Sequence, residues 1–326
     1  MKKYRAAIIG LGQIGQGFDY DRLDDAVVAT HASGYTYHPG YELVGAVDPD
    51  GAQRKRFEEK FRRPSFVDMS SLMAESNPEV FSIATPAAQH LSVFVDIMRY
   101  RPAAVLCEKP IAASVADGRK MQAMAEECGC ALAVNYMRRY EPGSVEVRRT
   151  IAERELGEVF KGAVWYSKGL VNNGSHFVDL LRYWLGDVDE VKITDQGRKW
   201  NGTDPEPDLC LKFNGVPIYL LAGREELFSI GKMELMCERG SIVYADSGNL
   251  IEVRRTYPSP LFKGYMLLSP ETKVVPTDLR RYQLHVLEAL YRHLTCGETL
   301  NSDGTSATQT LEVIECVCGQ LNEGVL

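Results

Sequence analysis

The chain has 326 residues, of which 45% are hydrophobic and 25% charged, and its formal net charge is −7 at pH 7. This composition is typical of a soluble globular protein, and the negative balance argues against a nucleic-acid or anionic-membrane partner. No apolar run approaches the roughly 20 residues that span a bilayer, and the apolar N-terminal run is too short and too rich in glycine for a signal peptide.

Short apolar strands alternate with helices in the first part of the chain. Strands are predicted at YRAAIIGLG, YELVGAVDPD, EVFSIATP, AAVLCEKP and CALAVNY. Helices are predicted at GAQRKRFEEKF, AAQHLSVFVDIMRY and SVADGRKMQAMAEECG, the last with Ser114 as its N-cap and Gly129 just beyond its end. This alternation predicts an α/β fold with a doubly wound parallel sheet, a Rossmann domain over residues 1–136.

The pattern changes after about Arg138. Helices are predicted at residues 142–154, 174–185, 280–295 and 305–320. Extended runs lie between them, joined by Gly and Asn turns: DEVKITDQ, DLCLKF, VPIYLLAG, GKMELMCE, GSIVYAD and LIEVRRT. They predict a second, α+β domain over residues 137–326 with a large, mostly antiparallel open sheet.

The eight cysteines give no sign of a metal or disulfide framework. Without an export signal we expect them to stay reduced, in a cytoplasmic protein. The two Cys-x-Cys pairs lack the spacing of common zinc sites, so we predict thiols packed in the core and no metal.

The sequence GLGQIG, residues 10–15, follows the first strand and is predicted to open a helix. Gly10 permits a sharp turn, Gly12 lets the backbone approach a pyrophosphate, and Gly15 permits close packing of helix on strand. We therefore expect this turn, with Gln13 and Ile14, to bind a dinucleotide. The alternative is a simple strand-to-helix turn that binds no nucleotide.

Asp48 ends the second strand. A carboxylate there accepts hydrogen bonds from a ribose 2′-hydroxyl and repels a 2′-phosphate, so NAD is favoured over NADP. Asp48 lies farther from Gly15 than the roughly 20 residues usual for this motif. We assign the excess to a polar insertion, GFDYDRLDDAVVAT, that precedes His31 and either covers the nucleotide or contacts another subunit.

Glu108, Lys109 and Pro110 follow the AAVLC strand. In an open α/β sheet, ligands bind beyond the carboxyl ends of the strands. Desolvation near an apolar nicotinamide ring would lower the pKa of the Lys109 ammonium there, so that this residue could hydrogen-bond a substrate hydroxyl and then help take its proton as hydride leaves the carbon. The alternative is that Lys-Pro forms an ordinary surface turn.

Six segments occur in a characteristic order: GLGQIG, VDPD, SIATPAAQH, CEKP, AVNYMRRYEPG and NNGSHFVDLLRYWLG. Together they resemble the Gfo/Idh/MocA oxidoreductases over nearly the whole chain. The resemblance implies hydride transfer between NAD or NADP and a carbon of a sugar or cyclitol. It also implies a homodimer or homotetramer built through the open sheet of the C-terminal domain.

The resemblance also implies roles for single residues near the cofactor. Lys109 matches the catalytic lysine of the family. Thr85 and Pro86 match a loop that lies along the cofactor, and Glu108 matches its neighbour near the nicotinamide ribose. His90 matches a histidine in the helix after that loop; we include it among the cofactor residues but interpret it as mainly structural.

His176 matches the histidine that acts as acid or base at the reacting hydroxyl. It lies in the first turn of a predicted helix, whose dipole disfavours an imidazolium, so we expect a neutral ring that accepts a proton. Asn172 stands where many members have an aspartate; an amide can orient substrate but takes no proton. Alternatively, Asn172 or Asn173 caps the helix and His176 packs on Tyr183. Asp179 either orients the His176 ring or faces solvent.

Substrate contacts are predicted at segments expected to face the cleft: Tyr136, Arg138, Lys168, Asn172, Asn173 and His176. The basic residues Arg138, Arg139 and Lys168 suit a carboxylate or phosphate, which favours an acidic or nucleotide-activated sugar, unless they only form surface ion pairs. Two competing hypotheses are a non-catalytic dinucleotide-binding sensor of the same fold and an NADP-dependent reductase.

Overall fold

The computed structural model describes residues 2–22 and 24–323, which divide into two compact units. Unit 1 contains Met1–Tyr140 and Arg280–Leu311, and unit 2 contains Glu141–Leu279 and Glu312–Leu326. In the part of the chain described, no helix is long and apolar enough to cross a membrane.

A parallel sheet with helices forms the body of unit 1. Its elements in chain order are β1 (Tyr4–Ile9), α1 (His31–Tyr37), β2 (Tyr41–Val47), α2 (Gly51–Phe61), β3 (Ser65–Phe66), α3 (Met69–Ser76), β4 (Val80–Ile83), α4 (His90–Met98), β5 (Ala104–Cys107), α5 (Val115–Cys128) and β6 (Ala131–Val134). The strand order is β3-β2-β1-β4-β5-β6, and every pair is parallel. The predicted Rossmann sheet is confirmed.

Local signals in the sequence set the ends of α5. The Ser114 side chain accepts a hydrogen bond from the Asp117 N–H, and Gly129 has φ +65° just beyond the helix. Both end signals predicted for this helix are confirmed. Strands β4 and β5 are buried along their whole length, as expected for a parallel sheet with helices on both faces.

The helix predicted directly after the glycine motif is wrong. The motif leads into a single π-helical turn, Gln13–Gly17, and α1 begins only at His31. The intervening segment is held by Asp19, whose buried carboxylate accepts hydrogen bonds from the N–H groups of Ala29 and Thr30. The insertion therefore interrupts the helix that would otherwise continue from the glycines.

A mostly antiparallel sheet forms the body of unit 2. Its elements are α6 (Pro142–Ala152), β7 (Val159–Tyr166), α7 (Ser175–Leu185), β8 (Val188–Trp200), β9 (Asp204–Phe213), β10 (Val216–Ala222), β11 (Gly231–Cys237), β12 (Gly240–Ala245), β13 (Leu250–Pro258), β14 (Met266–Leu268) and β15 (Lys273–Val275). The strand order is β14-β13-β12-β11-β7-β10-β9-β8, with β15 paired to β13. Only β7 and β10 pair in parallel among these strands, so the predicted sheet type is confirmed.

The two faces of this sheet have different surroundings. Val164 and Leu220 point into a core that α7 helps to form. On the opposite face, Trp165 is 44% exposed, Tyr219 is 38% exposed, and Leu221 pairs with Trp165 in register. Side chains alternate between faces along a strand, so one face is covered by helices and the other carries uncovered apolar groups.

The last two helices are α8 (Tyr282–Cys296) and α9 (Gly304–Glu323). Val286, Leu287 and Leu290 of α8 pack in one cluster with Tyr35 and Tyr41 of unit 1. The continuous domains 1–136 and 137–326 stay a prediction for the folding units. The compact units differ from them because the apolar face of α8 is buried against α1 and β2.

Candidate active site

The glycine turn after β1 is shaped by two close backbone contacts. Gly10 has φ +101°, and a Cβ there would lie 2.7 Å from the Ala84 carbonyl oxygen. A Cβ at Gly15 would lie 2.2 Å from the Gly10 carbonyl oxygen. Side chains are excluded at both positions, whereas a Cβ at Gly12 would meet nothing within 4 Å. Gly12 therefore faces open space that a ligand can enter without meeting a side chain.

The Asp48 carboxylate fastens the end of β2 to this turn. Its Oδ2 accepts a hydrogen bond of 2.7 Å from the Leu11 N–H, and Oδ1 accepts one of 2.8 Å from the Asp50 N–H. The Arg54 guanidinium donates to the Asp48 carbonyl at 2.8 Å. Each carboxylate oxygen can accept more than one hydrogen bond, so the partly buried Asp48 keeps acceptor capacity for a ligand hydroxyl.

Thr85 and His90 shape the loop after β4. The Thr85 hydroxyl is buried, with no hydrogen-bond partner among the described residues. Nε2 of His90 lies 2.9 Å from the Thr85 carbonyl oxygen, and Nδ1 lies 3.0 Å from the Pro110 carbonyl oxygen. Because both ring nitrogens lie against backbone carbonyls, these contacts support the structural interpretation of His90 rather than a direct cofactor contact.

Glu108 and Lys109 follow β5 at the same edge of the sheet. Oε1 of Glu108 accepts a hydrogen bond of 2.6 Å from the Asn135 amide, and it lies 3.0 Å from Nε2 of His31. Burial alone would raise the pKa of Glu108. The hydrogen bond from His31, the charge of that ring when it is protonated, the hydrogen bond from Asn135 and the positive charge of Lys109 together lower it below its ordinary value. Glu108 is therefore a carboxylate at neutral pH. The Lys109–Pro110 peptide bond is cis.

These features fit a dinucleotide that carries a diphosphate and ribose hydroxyls. The glycine turn offers open space and backbone N–H groups, and Asp48 and Glu108 offer carboxylate oxygens. The unpartnered hydroxyl of Thr85 is a further polar atom that a ligand could satisfy. Within the described ranges, no group of three or more His, Cys, Asp or Glu side chains is arranged to hold a metal ion.

In unit 2, a π-helical turn, Gly169–Gly174, leads directly into α7. Carboxylates of β9 hold the N–H groups of this turn. Oδ1 of Asp204 accepts 2.9 Å from the Val171 N–H, and Oδ2 accepts 2.8 Å from the Asn172 N–H. The fully buried Glu206 accepts 3.1 Å from the Gly169 N–H. This anchoring fixes the backbone just before His176.

The side chains of the two asparagines of the turn bond to residues that precede the turn. The N-cap of α7 is Gly174, which has no side chain to accept a bond. The Asn172 amide donates to the Lys168 carbonyl at 3.1 Å, and the Asn173 amide donates to the Ser167 carbonyl at 2.9 Å. Both side chains therefore hydrogen-bond backward along the chain, and the capping alternative stays a prediction.

His176 is the second residue of α7 and is 9% exposed, so its predicted place in the first helical turn is confirmed. Asp179 is 1% exposed. The alternative in which Asp179 faces solvent is therefore wrong, and its orienting role stays a prediction.

The basic residues predicted to bind substrate have different surroundings. Arg138 and Arg139 are buried, and the Arg139 guanidinium donates 3.1 Å to the Asn301 carbonyl. Lys168 is partly exposed, with its ammonium 3.7 Å from the Glu225 carboxylate. Tyr136 lies in the core at 1% exposure. Arg139 thus has a structural partner, and substrate contacts at Tyr136, Arg138 and Lys168 stay predictions.

The predicted site residues therefore form two groups. One group lies at the carboxyl edge of the parallel sheet of unit 1, and the other lies along the turn and first residues of α7 in unit 2. The sequence predicted no role for His31, Asn135 or Gln283. His31 and Asn135 each bond to Glu108, and each also bonds to Gln283. Only Asn135 had a signal, since it directly follows β6 and strand ends meet at this edge.

Comparisons with known proteins bear on both the family and the fold. Residues 4–136 match the model of the Gfo/Idh/MocA family, described as an oxidoreductase family with an NAD-binding Rossmann fold. The chain is 25% identical to D-apiose dehydrogenase of Paraburkholderia graminis over 206 residues, 58% of this chain and 51% of that protein. It is 27% identical to inositol 2-dehydrogenase of Rubrobacter xylanophilus over 197 residues, 54% of this chain and 56% of that protein. The matches thus span about half the length of these relatives.

Similarity of fold extends over almost the whole chain. The WlbA dehydrogenase from Bordetella pertussis, solved in complex with NADH and UDP-GlcNAcA, has a TM-score of 0.79 at 18% identity, covering 99% of this chain and 97% of that chain. At this identity the likeness concerns the fold alone. The family match over residues 4–136 and the related dehydrogenases together support the resemblance that the order of motifs predicted: residues 4–136 match the NAD-binding Rossmann fold of the Gfo/Idh/MocA oxidoreductases.

Proposed function

We propose that the protein is an NAD(P)-dependent oxidoreductase acting on a secondary alcohol carbon of a sugar, nucleotide sugar or cyclitol. The observation that carries the proposal is the place of Lys109 in unit 1. It follows β5, and β5 is separated from the glycine turn of β1 only by β4. Neighbouring strands are about 4.8 Å apart, so the two strand ends are about 10 Å apart at one edge.

A nicotinamide dinucleotide, when bound, accepts or supplies the hydride. The glycine turn, Asp48 and Glu108 hold the dinucleotide in this proposal. Lys109 hydrogen-bonds the substrate hydroxyl and, as the neutral amine, takes its proton and becomes the ammonium as hydride leaves the carbon. The His176 ring shares that proton transfer, which it does as a proton acceptor through an unprotonated ring nitrogen. Asn172 orients the substrate through hydrogen bonds.

NAD is the dinucleotide that this site favours in our proposal. Asp48 brings a carboxylate to the end of β2, where a 2′-phosphate would meet its negative charge. Arg54 lies beside Asp48 but donates to the Asp48 and Pro49 carbonyl oxygens. An Arg engaged in this way offers less to a phosphate than one whose donors face the ligand.

An acidic or nucleotide-activated sugar is the substrate class we favour. Lys168 supports this choice because its side chain is partly exposed and its 3.7 Å pair with Glu225 is long for a strong ion pair. The WlbA dehydrogenase, solved in complex with UDP-GlcNAcA, is a protein of the same fold. Because two relatives are named for D-apiose and inositol, the substrates to be tested should also include uncharged sugars and cyclitols.

A second copy of this chain is the partner we propose. The uncovered face of the unit 2 sheet carries Trp165, Tyr219 and Leu221 as neighbours on β7 and β10. Exposed apolar groups in one contiguous patch mark an interaction surface, and symmetric homo-oligomers are the commonest solution. We therefore propose a homodimer or homotetramer formed through this sheet, in the cytoplasm.

The alternative function is a non-catalytic dinucleotide-binding sensor. Asn172 favours it, because its amide holds no negative charge and the side-chain nitrogen donates a hydrogen bond to the Lys168 carbonyl. Incubation of the purified protein with NAD and a panel of sugars, cyclitols and nucleotide sugars separates the two. We expect nicotinamide reduction with at least one substrate, and loss of that turnover in Lys109→Ala with NAD still bound. Near-normal turnover by Lys109→Ala would overturn the mechanism.

A further inference from the structure

Four side chains of unit 1 form a closed ring of hydrogen bonds behind the Glu108–Lys109 segment. Nε2 of His31 lies 3.0 Å from Oε1 of Glu108, and Nδ1 of His31 lies 3.1 Å from Nε2 of Gln283. The Asn135 amide nitrogen is 2.6 Å from Oε1 of Glu108 and 3.1 Å from Oε1 of Gln283. His31 and Gln283 are fully buried, so water does not replace any of these contacts.

The ring fixes where the proton of His31 lies. An ionised Glu108 only accepts hydrogen bonds, so the NH₂ group of Asn135 must face it. The same NH₂ group faces Gln283, which therefore presents its amide oxygen to Asn135 and its own NH₂ group to His31. Nδ1 of His31 must then be an acceptor, and the proton lies on Nε2 and is donated to Glu108. Any other arrangement places two acceptors or two donors against each other.

The orientation of the Asn135 amide satisfies the ring but leaves the amide oxygen unpaired. With its NH₂ group turned to Glu108 and Gln283, the Asn135 amide oxygen is buried without a hydrogen-bond partner among the described residues. Leaving a buried acceptor unsatisfied costs about 1–3 kcal/mol. This loss is tolerated because the reverse orientation would place the oxygen against a carboxylate.

The two carboxylate oxygens of Glu108 have different hydrogen-bond partners. Oε1 receives both His31 and Asn135, whereas the described contact of Oε2 is a bond of 3.3 Å from the Lys109 N–H. Oε2 thus retains acceptor capacity, and the rotamer of the side chain is set from behind through Oε1. A free carboxylate would have to lose this rotational freedom on binding a ligand.

We propose that His31 is a positioning residue that, as the neutral tautomer protonated on Nε2, holds Glu108 so that Oε2 receives a ribose hydroxyl of the dinucleotide. This inference rests on the proposed function, because it assigns the ribose to Glu108. It gives the ring of Asn135 and Gln283 the task of keeping His31 in that tautomer.

The insertion before α1 holds His31 in place through the side chain of Asp19. The carboxylate of the buried Asp19 accepts 2.7 Å from the Thr30 hydroxyl and 3.0 Å from the Ser33 hydroxyl, on either side of His31. The Tyr282 hydroxyl donates 2.5 Å to the Ala29 carbonyl. The insertion therefore fastens the first turn of α1, and with it His31, within unit 1.

The test compares His31→Leu, His31→Gln and a matched control, His38→Leu. His38 also makes a His–Glu contact in unit 1, with Nε2 3.0 Å from the Glu288 carboxylate, but its partner is Glu288 rather than Glu108 and it is absent from the ring. Dissociation constants for NAD are measured by titration calorimetry, and Tm is measured for each variant. We expect His31→Leu to bind NAD about tenfold more weakly, the equivalent of one hydrogen bond to a charged group.

Three results separate positioning from mere structural support. His31→Gln, which can place an amide N–H near the Nε2 position, should regain most of the affinity, and His38→Leu should bind NAD as the wild type does even where its Tm falls. In a Glu108→Gln background, His31→Leu should cause no further loss. Nitrogen NMR of the ligand-free protein should show His31 protonated on Nε2 and not on Nδ1.

The outcomes that overturn the proposal are distinct from failure of the proposed function. Unchanged NAD affinity in His31→Leu, an equal loss in His38→Leu, or an Nδ1-protonated His31 would each overturn the positioning role while wild-type NAD binding stands. If the wild type binds neither NAD nor NADP, the proposed function fails and the role of His31 fails with it.

Discussion

Asp204→Ala tests how the turn before His176 is held. The carboxylate accepts hydrogen bonds of 2.9 Å from the partly buried Val171 N–H and 2.8 Å from the exposed Asn172 N–H. Hydrogen bonds to charged groups contribute about 1.5–3 kcal/mol, and water replaces the exposed one in part. We take about 2 kcal/mol for the first and about 1 kcal/mol for the second, a loss of about 3 kcal/mol in the free energy of unfolding. In a domain of this size, that loss lowers Tm by about 6–12 °C.

The assay is thermal unfolding followed by circular dichroism, with turnover measured below the transition. Asp195→Ala is the matched control, because its carboxylate accepts a single bond of 2.7 Å from the Gly197 N–H at an exposed site of β8. We expect the control to lose about 0.5–1 kcal/mol. Asp204→Asn, which keeps one acceptor oxygen, should fall between Asp204→Ala and the wild type. Equal Tm values for Asp204→Ala and Asp195→Ala would refute the reasoning.

Further predictions concern the dinucleotide, pH and assembly. Asp48→Ser should raise the affinity for NADP relative to NAD by about tenfold or more, because it removes a carboxylate beside the 2′-position; an unchanged ratio in titrations of both dinucleotides would contradict the role of Asp48. The folded-state pKa of Glu108 is lowered from its ordinary value of 4.5, so its ionised form stabilises the fold above that pH, and this stabilisation is lost as pH falls through the lowered value. The gap in unfolding free energy between wild type and Glu108→Gln, measured in urea, should accordingly shrink below pH 4.5, and a gap independent of pH would count against it. Trp165→Glu, on the uncovered sheet face, should shift the protein towards monomers in light scattering, whereas an unaltered mass would exclude this face as the interface.

The parallel sheet of unit 1 could be predicted because its strands are short continuous apolar runs that end in recognisable turn residues. β4 and β5 are buried at every position, which is the environment that such runs indicate. The glycine turn was predictable for a similar reason, since its backbone contacts at Gly10 and Gly15 leave no room for a Cβ. These features depend on residues that are close in sequence.

The features that sequence analysis missed depend on residues far apart in the chain. One such feature is the hydrogen-bonded ring, which joins four segments of the chain through His31, Glu108, Asn135 and Gln283. No local sequence pattern predicts it. The helix predicted after Gly15 was wrong because an insertion anchored by distant contacts interrupts it. The packing of α8 within unit 1 was likewise not predictable, because it joins residues that are about 250 positions apart in the chain.

The solvent-facing alternative for Asp179 failed for another reason. Every residue from Ser175 to Trp184 is buried in α7, so spacing along this helix does not separate a buried face from an exposed one. The amides of Asn172 and Asn173 were equally undecidable from sequence, because a cap and a bond back to the preceding turn require the same residue type.

A crystal structure with NAD and a turned-over sugar bound tests the central claim most directly, through the atoms that contact the reacting oxygen. We expect the Lys109 side-chain nitrogen and a His176 ring nitrogen each to lie within about 3 Å of one substrate hydroxyl, and hence within about 6 Å of each other. The two groups facing separate cavities, with the hydroxyl contacted by neither, would contradict it.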